Sequence, residues 1–285
     1  MFKKAIRENI PAKILIDGPS GSGKTKSSLR LAQGLADGGK IAGICSENGS
    51  MALYSDSHDF DVCDISSYHP TNYLKALEYA ENNGYKVLII DSITHMWKWA
   101  IDTVDNSNSK NSFNAWGPVK KEVNAFIDRL KSSSIHIICT ARSKTAFELI
   151  EQEKGNRKIK VPQKIGMKPE FQEGFDYEVS YAFSLDSDHV AECHKDRSGE
   201  LIGTRQVIDE DLGAKIKAWI EDGYSWMDDY AETFEGIEES EIVQYFTEKH
   251  SMKITELTEK LRKNILENKD EFLPSFKEWK ESVEA

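Results

Sequence analysis

Cysteine is scarce. The 285 residues hold four, Cys45, Cys63, Cys139 and Cys193, far apart and without the C-x-x-C spacing that zinc and redox sites use. A disulfide framework is excluded, and a chain of this length buries about three quarters of its unfolded surface without such staples, so a reduced, cytoplasmic setting is expected. Long apolar runs are also missing. No stretch approaches the roughly 18 apolar residues of a membrane span, and the basic start Met1-Phe2-Lys3-Lys4 leads into no signal-peptide core. A membrane role is not expected. Nor is there an excess of positive charge: the net is -11, so nucleic acid can be held only by a local basic surface. The acidity is uneven. Residues 209–285 carry 21 acids against 10 Lys and Arg, leaving 27 of each in residues 1–208.

What is present is an alternation of short β-rich apolar runs with helical ones, the pattern of a mostly parallel sheet flanked by helices. Strands are expected at Lys13–Asp17, Ile41–Cys45, Asp61–Ile65, Val87–Asp91, Ile135–Thr140, Glu178–Leu185 and His189–Lys195, the last two as an antiparallel edge hairpin across Asp186–Asp188. Helices fit at Lys24–Ala36, Thr71–Asn82, Thr94–Thr103, Pro118–Lys131 and Asp211–Asp222. An Asn- and Ser-rich stretch, Asp105–Asn114, reads as a mobile loop. These elements give an α/β core over 1–226. An acidic linker follows at 227–241, and then a small helical appendage at 242–285 with apolar spacing at Ile254, Leu257, Leu261, Ile265, Phe272, Phe276 and Trp279.

The chemistry concentrates in one stretch. Gly18, Pro19, Ser20, Gly21, Ser22, Gly23, Lys24 and Thr25 match G-x-x-x-x-G-K-[ST] between a strand and a helix, and Lys26 extends the stretch into the first helical turn. Glycines let backbone N–H groups turn inward around a polyphosphate at the positive end of the helix dipole. Lys24 then reaches the β- and γ-phosphates, and Thr25 offers its hydroxyl to Mg²⁺. Val87-Leu-Ile-Ile-Asp91 is an apolar strand ending in a carboxylate suited to the same Mg²⁺. Ser92 follows where some NTPases carry a water-activating acid, so the general base is expected elsewhere. Glu47, two residues past a strand whose end shares an edge with the phosphate loop, is the candidate. Thr140 ends its own strand at that edge and is the candidate γ-phosphate sensor. Lys195-Asp-Arg197, with a strand's period of two, sets two cations on one face, a comb suited to a neighbouring subunit's γ-phosphate and hence to a homo-oligomer.

Gly18–Thr25, Glu47-Asn-Gly-Ser50, Asp91-Ser-Ile-Thr94, Cys139-Thr-Ala-Arg142 and Lys195-Asp-Arg197 together resemble the RecA-like ATPases, and more narrowly the short phage-encoded members that include Sak-type single-strand annealing proteins. The resemblance covers about residues 11–208. It implies a RecA-like P-loop core, Glu47 as the base, and Lys195 and Arg197 acting across a subunit interface. It further implies ATP and Mg²⁺ as cofactors, single-stranded DNA and a single-strand-binding protein as partners, and the host cytoplasm as the location. Where RecA ends its fourth strand with Gln, this chain has Thr140.

Arg142–Glu170 holds eight Lys and Arg against four acids, at the place of a family DNA loop. Gly155, Pro162 and Pro169 argue against regular structure there; phosphate tracking is the expected role, with a solvated basic hairpin as the alternative. Phe113 and Trp116 border a second such loop, where packing is the plainer expectation, as it is for Trp97 and Trp99. The reading is a Mg²⁺-dependent ATPase, a hydrolase acting on single-stranded DNA in phage recombination or replication. The alternatives are a P-loop kinase with 142–170 as a lid, and an assembly module gated by ATP without DNA.

Overall fold

The computed structural model describes residues 10–107, 112–154, 157–221, 230, 233–250 and 257–284. The chain forms two units, with the division between Ile220 and Glu221.

The larger unit is built on one sheet. Its strands are β1 (Lys13–Gly18), β2 (Lys40–Cys45), β3 (Asp61–Asp64), β4 (Tyr85–Asp91), β5 (His136–Lys154), β6 (Arg157–Pro169), β7 (Tyr181–Leu185), β8 (Ala191–Asp196) and β9 (Arg205–Gln206). The order is β3-β2-β4-β5-β1-β7-β8-β9, with β6 pairing only with β5. From β3 to β7 the pairs are parallel, and β7-β8 and β8-β9 are antiparallel. The fold is therefore α/β with a mostly parallel sheet and an antiparallel edge, as the alternation of runs anticipates. Continuous apolar strands such as Val87–Ile90 are buried because helices cover both faces. Helices α1 (Lys24–Ala36) and α6 (Glu210–Glu221) close one face over Ile14, Ile16 and Phe183. On the other, α2 (Pro70–Asn82), α3 (Thr94–Asp105) and α4 (Ser112–Lys131) close over Leu15, Ile90 and Ile137. A single helical turn, α5 (Phe175–Glu178), precedes β7, where a strand is expected from Glu178.

Three sequence expectations need correction. The segment after Thr140 is regular: β5 runs on and returns as β6 in an antiparallel hairpin, from Ser143 opposite Pro169 to Lys154 opposite Arg157. Pro162 is tolerated because β6 has no strand on its other side among the described residues. Within this ribbon β6 carries Arg157, Lys158, Lys160, Lys164 and Lys168 and no acid, while Glu151 and Glu153 on β5 stand in register with Lys160 and Lys158. Secondly, α4 begins at Ser112 and takes Pro118 into its body, so the Asn-rich stretch is shorter than expected, and residues 108–111 of it lie outside the described residues. Trp97 packs against both Trp116 and Phe171, with ring centroids 5.6 and 5.9 Å away. The side chain of Phe113 lies outside the described residues.

The third correction concerns the acidic stretch. The smaller unit holds α7 (Glu239–Lys249), α8 (Glu259–Glu267) and α9 (Lys269–Glu284) around Tyr245, Phe272, Phe276 and Trp279. Tyr230 and Phe234 are buried in the same cluster, Ile237 packs on it, and Glu238 with Glu241 forms a capping box that opens α7. Residues expected to be a solvated linker thus supply core and a helix start. Net charge reports the outer face of such a stretch and is silent about the apolar residues between the acids. Of the helical apolar spacing, Leu261 and Ile265 fall in α8, Leu257 precedes it, and Ile254 lies among residues 251–256, outside the described residues.

Candidate functional site

The parallel strands end together. Gly18 of β1 is in register with Arg142 of β5, and Cys45 of β2 with Asp91 of β4, so the loops that follow β1, β2 and β4 share one edge with Arg142. The turn from Gly18 into α1 places Gly21 at φ 80° and Gly23 at φ 86°, left-handed values that favour glycine. Gly18 is needed for room as well: a β-carbon there would stand 2.5 Å from Ser22 Oγ and 2.8 Å from the Leu185 carbonyl oxygen.

A cavity of about 460 Å³ opens over this turn, reaching Lys24, Thr25, Lys26, Glu47, Asp91 and Arg142. Lys24 Nζ donates to the carbonyls of Gly18 at 3.0 Å and Pro19 at 2.8 Å. Burial pulls its pKa down, offset by the Asp91 and Glu47 carboxylates. Asp91, 2% exposed, accepts from Thr25 Oγ1 at 2.6 Å and from Thr140 Oγ1 at 2.5 Å. Burial pushes its carboxyl pKa up against these two hydroxyls. Ser46 fastens β2 to β4: its amide donates to the Asp91 carbonyl at 2.7 Å, and its Oγ accepts from the Ser92 amide at 2.8 Å. That clamp holds the next residue, Glu47, over the cavity, where Arg142 Nη2 donates to Glu47 Oε1 at 2.6 Å.

The sequence-derived set is thus largely assembled: Lys24, Thr25, Glu47 and Asp91 line one cavity, and Thr140 touches it through Asp91. Lys195 and Arg197 are not there. The register sets Asp196 against Tyr181, and Tyr181 against Ile14 near the start of β1, so the pair lies at the edge opposite the phosphate loop. Lys195 Nζ donates to the Asp176 carbonyl at 2.6 Å, and Asp196 accepts from the Ser198 and Leu201 amides to fold the following turn. Arg197 is exposed.

Ser27, Arg30, Tyr54, Arg142, His189, Val207 and Ile208 also line the cavity and are absent from the sequence-derived site. Arg142 falls in the Cys139-Thr-Ala-Arg142 motif and the basic segment without a site role, although it lies two residues past Thr140 at the same strand end, a spacing that could have assigned it one. Tyr54, at the end of a 3₁₀ turn (Ser50–Tyr54) after Glu47, and His189, in the β7–β8 turn, also line it. No local signal in the sequence marks either.

The residues fit a nucleoside triphosphate with Mg²⁺. Thr25 and Asp91 offer the hydroxyl and carboxylate oxygens that Mg²⁺ takes, and a carboxylate whose burial disfavours its charge is stabilised by a facing cation.

A family described as an AAA domain matches residues 10–206. Among solved structures, the KaiC-like protein PH0186 from the hyperthermophilic archaeon Pyrococcus horikoshii OT3 is similar at 13% identity over 71% of this chain and 93% of that one, with a TM-score of 0.41. The RadB recombinase is similar at 14% identity over 70% and 86%, with a TM-score of 0.40. A search of curated proteins finds no match. No described helix is long and apolar enough to cross a membrane.

Proposed function

The chain belongs to the AAA domain family of P-loop NTPases, and from that premise we propose that it binds and hydrolyses ATP with Mg²⁺ and acts on single-stranded DNA, as a phage recombination or replication protein would. One observation carries the catalytic part: the phosphate-loop lysine, the Thr25–Asp91 pair and the Glu47 carboxylate face a single cavity. Thr25 and Asp91 would hold Mg²⁺, which would supply charge neutralisation at the phosphates. Lys24, drawn from its two loop carbonyls, adds a cation on the same oxygens. Glu47 accepts the proton of the attacking water, and Arg142 fixes the carboxylate for that task. Thr140 holds the second oxygen of Asp91, so its part is to orient that ligand.

What supports DNA as the partner is the β5–β6 hairpin. It leaves the sheet at Arg142, the residue that touches Glu47, and its charge is segregated, with five cations and no acid on β6. Any interface role of Lys195 and Arg197 rests on a second copy, since the cavity of their own chain is at the other edge.

The test is ATP turnover with and without single-stranded DNA, alongside nucleotide binding by Lys24→Ala and analysis for phosphorylated acceptors. Loss of nucleotide binding in a folded Lys24→Ala protein and DNA-stimulated release of phosphate to water are expected. Undiminished binding in that variant rejects the nucleotide site. Phosphate appearing on an acceptor instead of in water moves the chain to the kinases.

A further inference from the structure

His189 stands in the turn between β7 and β8 at φ 63°, an uncommon conformation for a residue with a side chain, and one that points to function where the surroundings enforce it. The surroundings do. Asp186 Oδ1 accepts from the amides of Asp188 at 2.9 Å and Val190 at 3.0 Å, and its Oδ2 accepts from Arg205 Nη2 at 2.7 Å. The locked turn sets the imidazole over the phosphate loop: a β-carbon on Gly23 would stand 3.0 Å from His189 Nδ1. The ring lines the same cavity as Lys24, Thr25 and Lys26. His189 is exposed, and among the described residues its imidazole has no hydrogen-bond partner. An imidazole always carries at least one N–H donor.

We propose that His189 is a nucleotide-binding residue, a hydrogen-bond donor from the β7–β8 turn to the phosphate chain held by the Gly18–Thr25 loop. The proposal rests on the nucleotide reading of that loop and adds a contact from the antiparallel edge of the sheet, which no motif in the sequence marks. Gly23 then meets two demands, its left-handed backbone and the room for the imidazole.

The test measures equilibrium binding of Mg-ADP to the full chain, with a fluorescent ADP analogue as the displaced probe. His189→Ala should weaken binding about tenfold, the scale of one hydrogen bond to a charged group. His189→Phe, which keeps the ring volume without a donor, should lose as much, while His189→Asn, which keeps a donor, should stay within about threefold of the native protein. Wild-type affinity in the folded Phe variant overturns the proposal, because a ring that merely fills space over Gly23 is then sufficient. A second readout needs no variant. Diethyl pyrocarbonate acylates exposed imidazoles, and Mg-ADP should slow modification of His189, read by peptide mass spectrometry. An equal rate with and without nucleotide also overturns it. Lys24→Ala separates the histidine from the loop. If that variant loses ADP while His189→Ala does not, only the histidine contact fails; if Lys24→Ala keeps native affinity, the loop reading fails and the histidine proposal with it.

Discussion

At the edge where the parallel strands end, Lys24 and Arg142 face a cavity together with two carboxylates. At the opposite edge Lys13 and Lys195 are met by backbone. Lys13, 4% exposed, donates to the carbonyls of Pro11, Ser133 and Ile135 at 2.9 to 3.1 Å, and burial brings its pKa down to about 8. Lys195 donates to the Asp176 carbonyl, and burial with the nearby Arg197 guanidinium lowers its pKa as well. Neither a count of cations nor the presence of carbonyl acceptors distinguishes these edges, since Lys24 also donates to two loop carbonyls; the cavity over Lys24 and Arg142 does. Lys13 is buried, whereas Lys24 borders a cavity from which a ligand can compete with its two carbonyls.

The largest effect that tests this contrast belongs to Arg197, the exposed cation of the second edge. If the two edges meet across an interface between copies, Arg197→Ala should cut ATP hydrolysis by about 10³-fold, the scale of a lost arginine finger. Mixing Arg197→Ala with Glu47→Gln subunits should restore part of the activity, because some interfaces then unite an intact finger with an intact base. Mixed oligomers that form and stay inactive at every ratio would falsify a role in trans and leave the second edge purely structural.

Glu47→Gln comes next. The amide still accepts from Arg142, so the arrangement around the cavity should persist, but it cannot take a proton, and turnover should fall by about 10²-fold or more with nucleotide binding retained. Native turnover in this variant moves the base to another residue.

At the second edge the expected effect is on stability. His136, the first residue of β5, accepts the Ala12 amide on Nδ1 at 3.0 Å, which requires that nitrogen to be unprotonated, and burial lowers its pKa to about 4. The unfolded chain takes up that proton near pH 6.5 and the folded chain only near pH 4, so stability is full above 6.5 and declines as pH falls through this window. By pH 5 the loss should be about 2 kcal/mol. Urea unfolding at pH 7 and pH 5 should show a smaller decline in His136→Asn than in the native protein. Parallel declines remove His136 from the pH dependence.

The same contrast explains which parts are legible in the sequence. The β1, β2 and β4 cores and the Gly18–Thr25 turn follow from apolar runs and spacing, because a parallel strand buried on both faces must be continuously apolar and a phosphate loop must carry glycine where φ is positive. Placement across the sheet is harder. Lys195 and Arg197 end a strand that runs antiparallel to β1, so a strand-end position there means the far edge, and that follows only from the pairing of β7 with β8. His189 and Tyr54 depend on turns, and that of His189 is set by a partner as distant in the chain as Arg205. The regular pairing of the hairpin is obscured for a related reason. Gly155, Pro162 and Pro169 signal breaks, yet β6 needs hydrogen bonds on one side only, and its pairing with β5 accommodates Pro162 opposite Leu149.

The hairpin supplies the smallest effect. Its eight cations and four acids over 142–170 overstate the surface open to a polyanion, because residues directly opposite in a ribbon share a face, and Lys158 and Lys160 stand opposite Glu153 and Glu151. Lys164 stands opposite Phe147, and Lys168 opposite Lys144, so these positions face no acid across the ribbon. If the hairpin tracks a phosphate backbone, Lys164→Gln with Lys168→Gln should weaken single-stranded DNA binding about fivefold at 0.1 M salt. The same change should flatten the slope of log affinity against log salt by about 1.4, since each phosphate no longer neutralised is worth about 0.7. Neutralising the opposing acids, Glu151→Gln with Glu153→Gln, should act in the other direction and tighten binding, since it removes charge that repels phosphate within about 10 Å. Neither change should depend on base sequence, because phosphates carry none. Anisotropy titrations of both double variants across a salt series decide the matter: opposite shifts place DNA on this ribbon, and two unchanged affinities remove it.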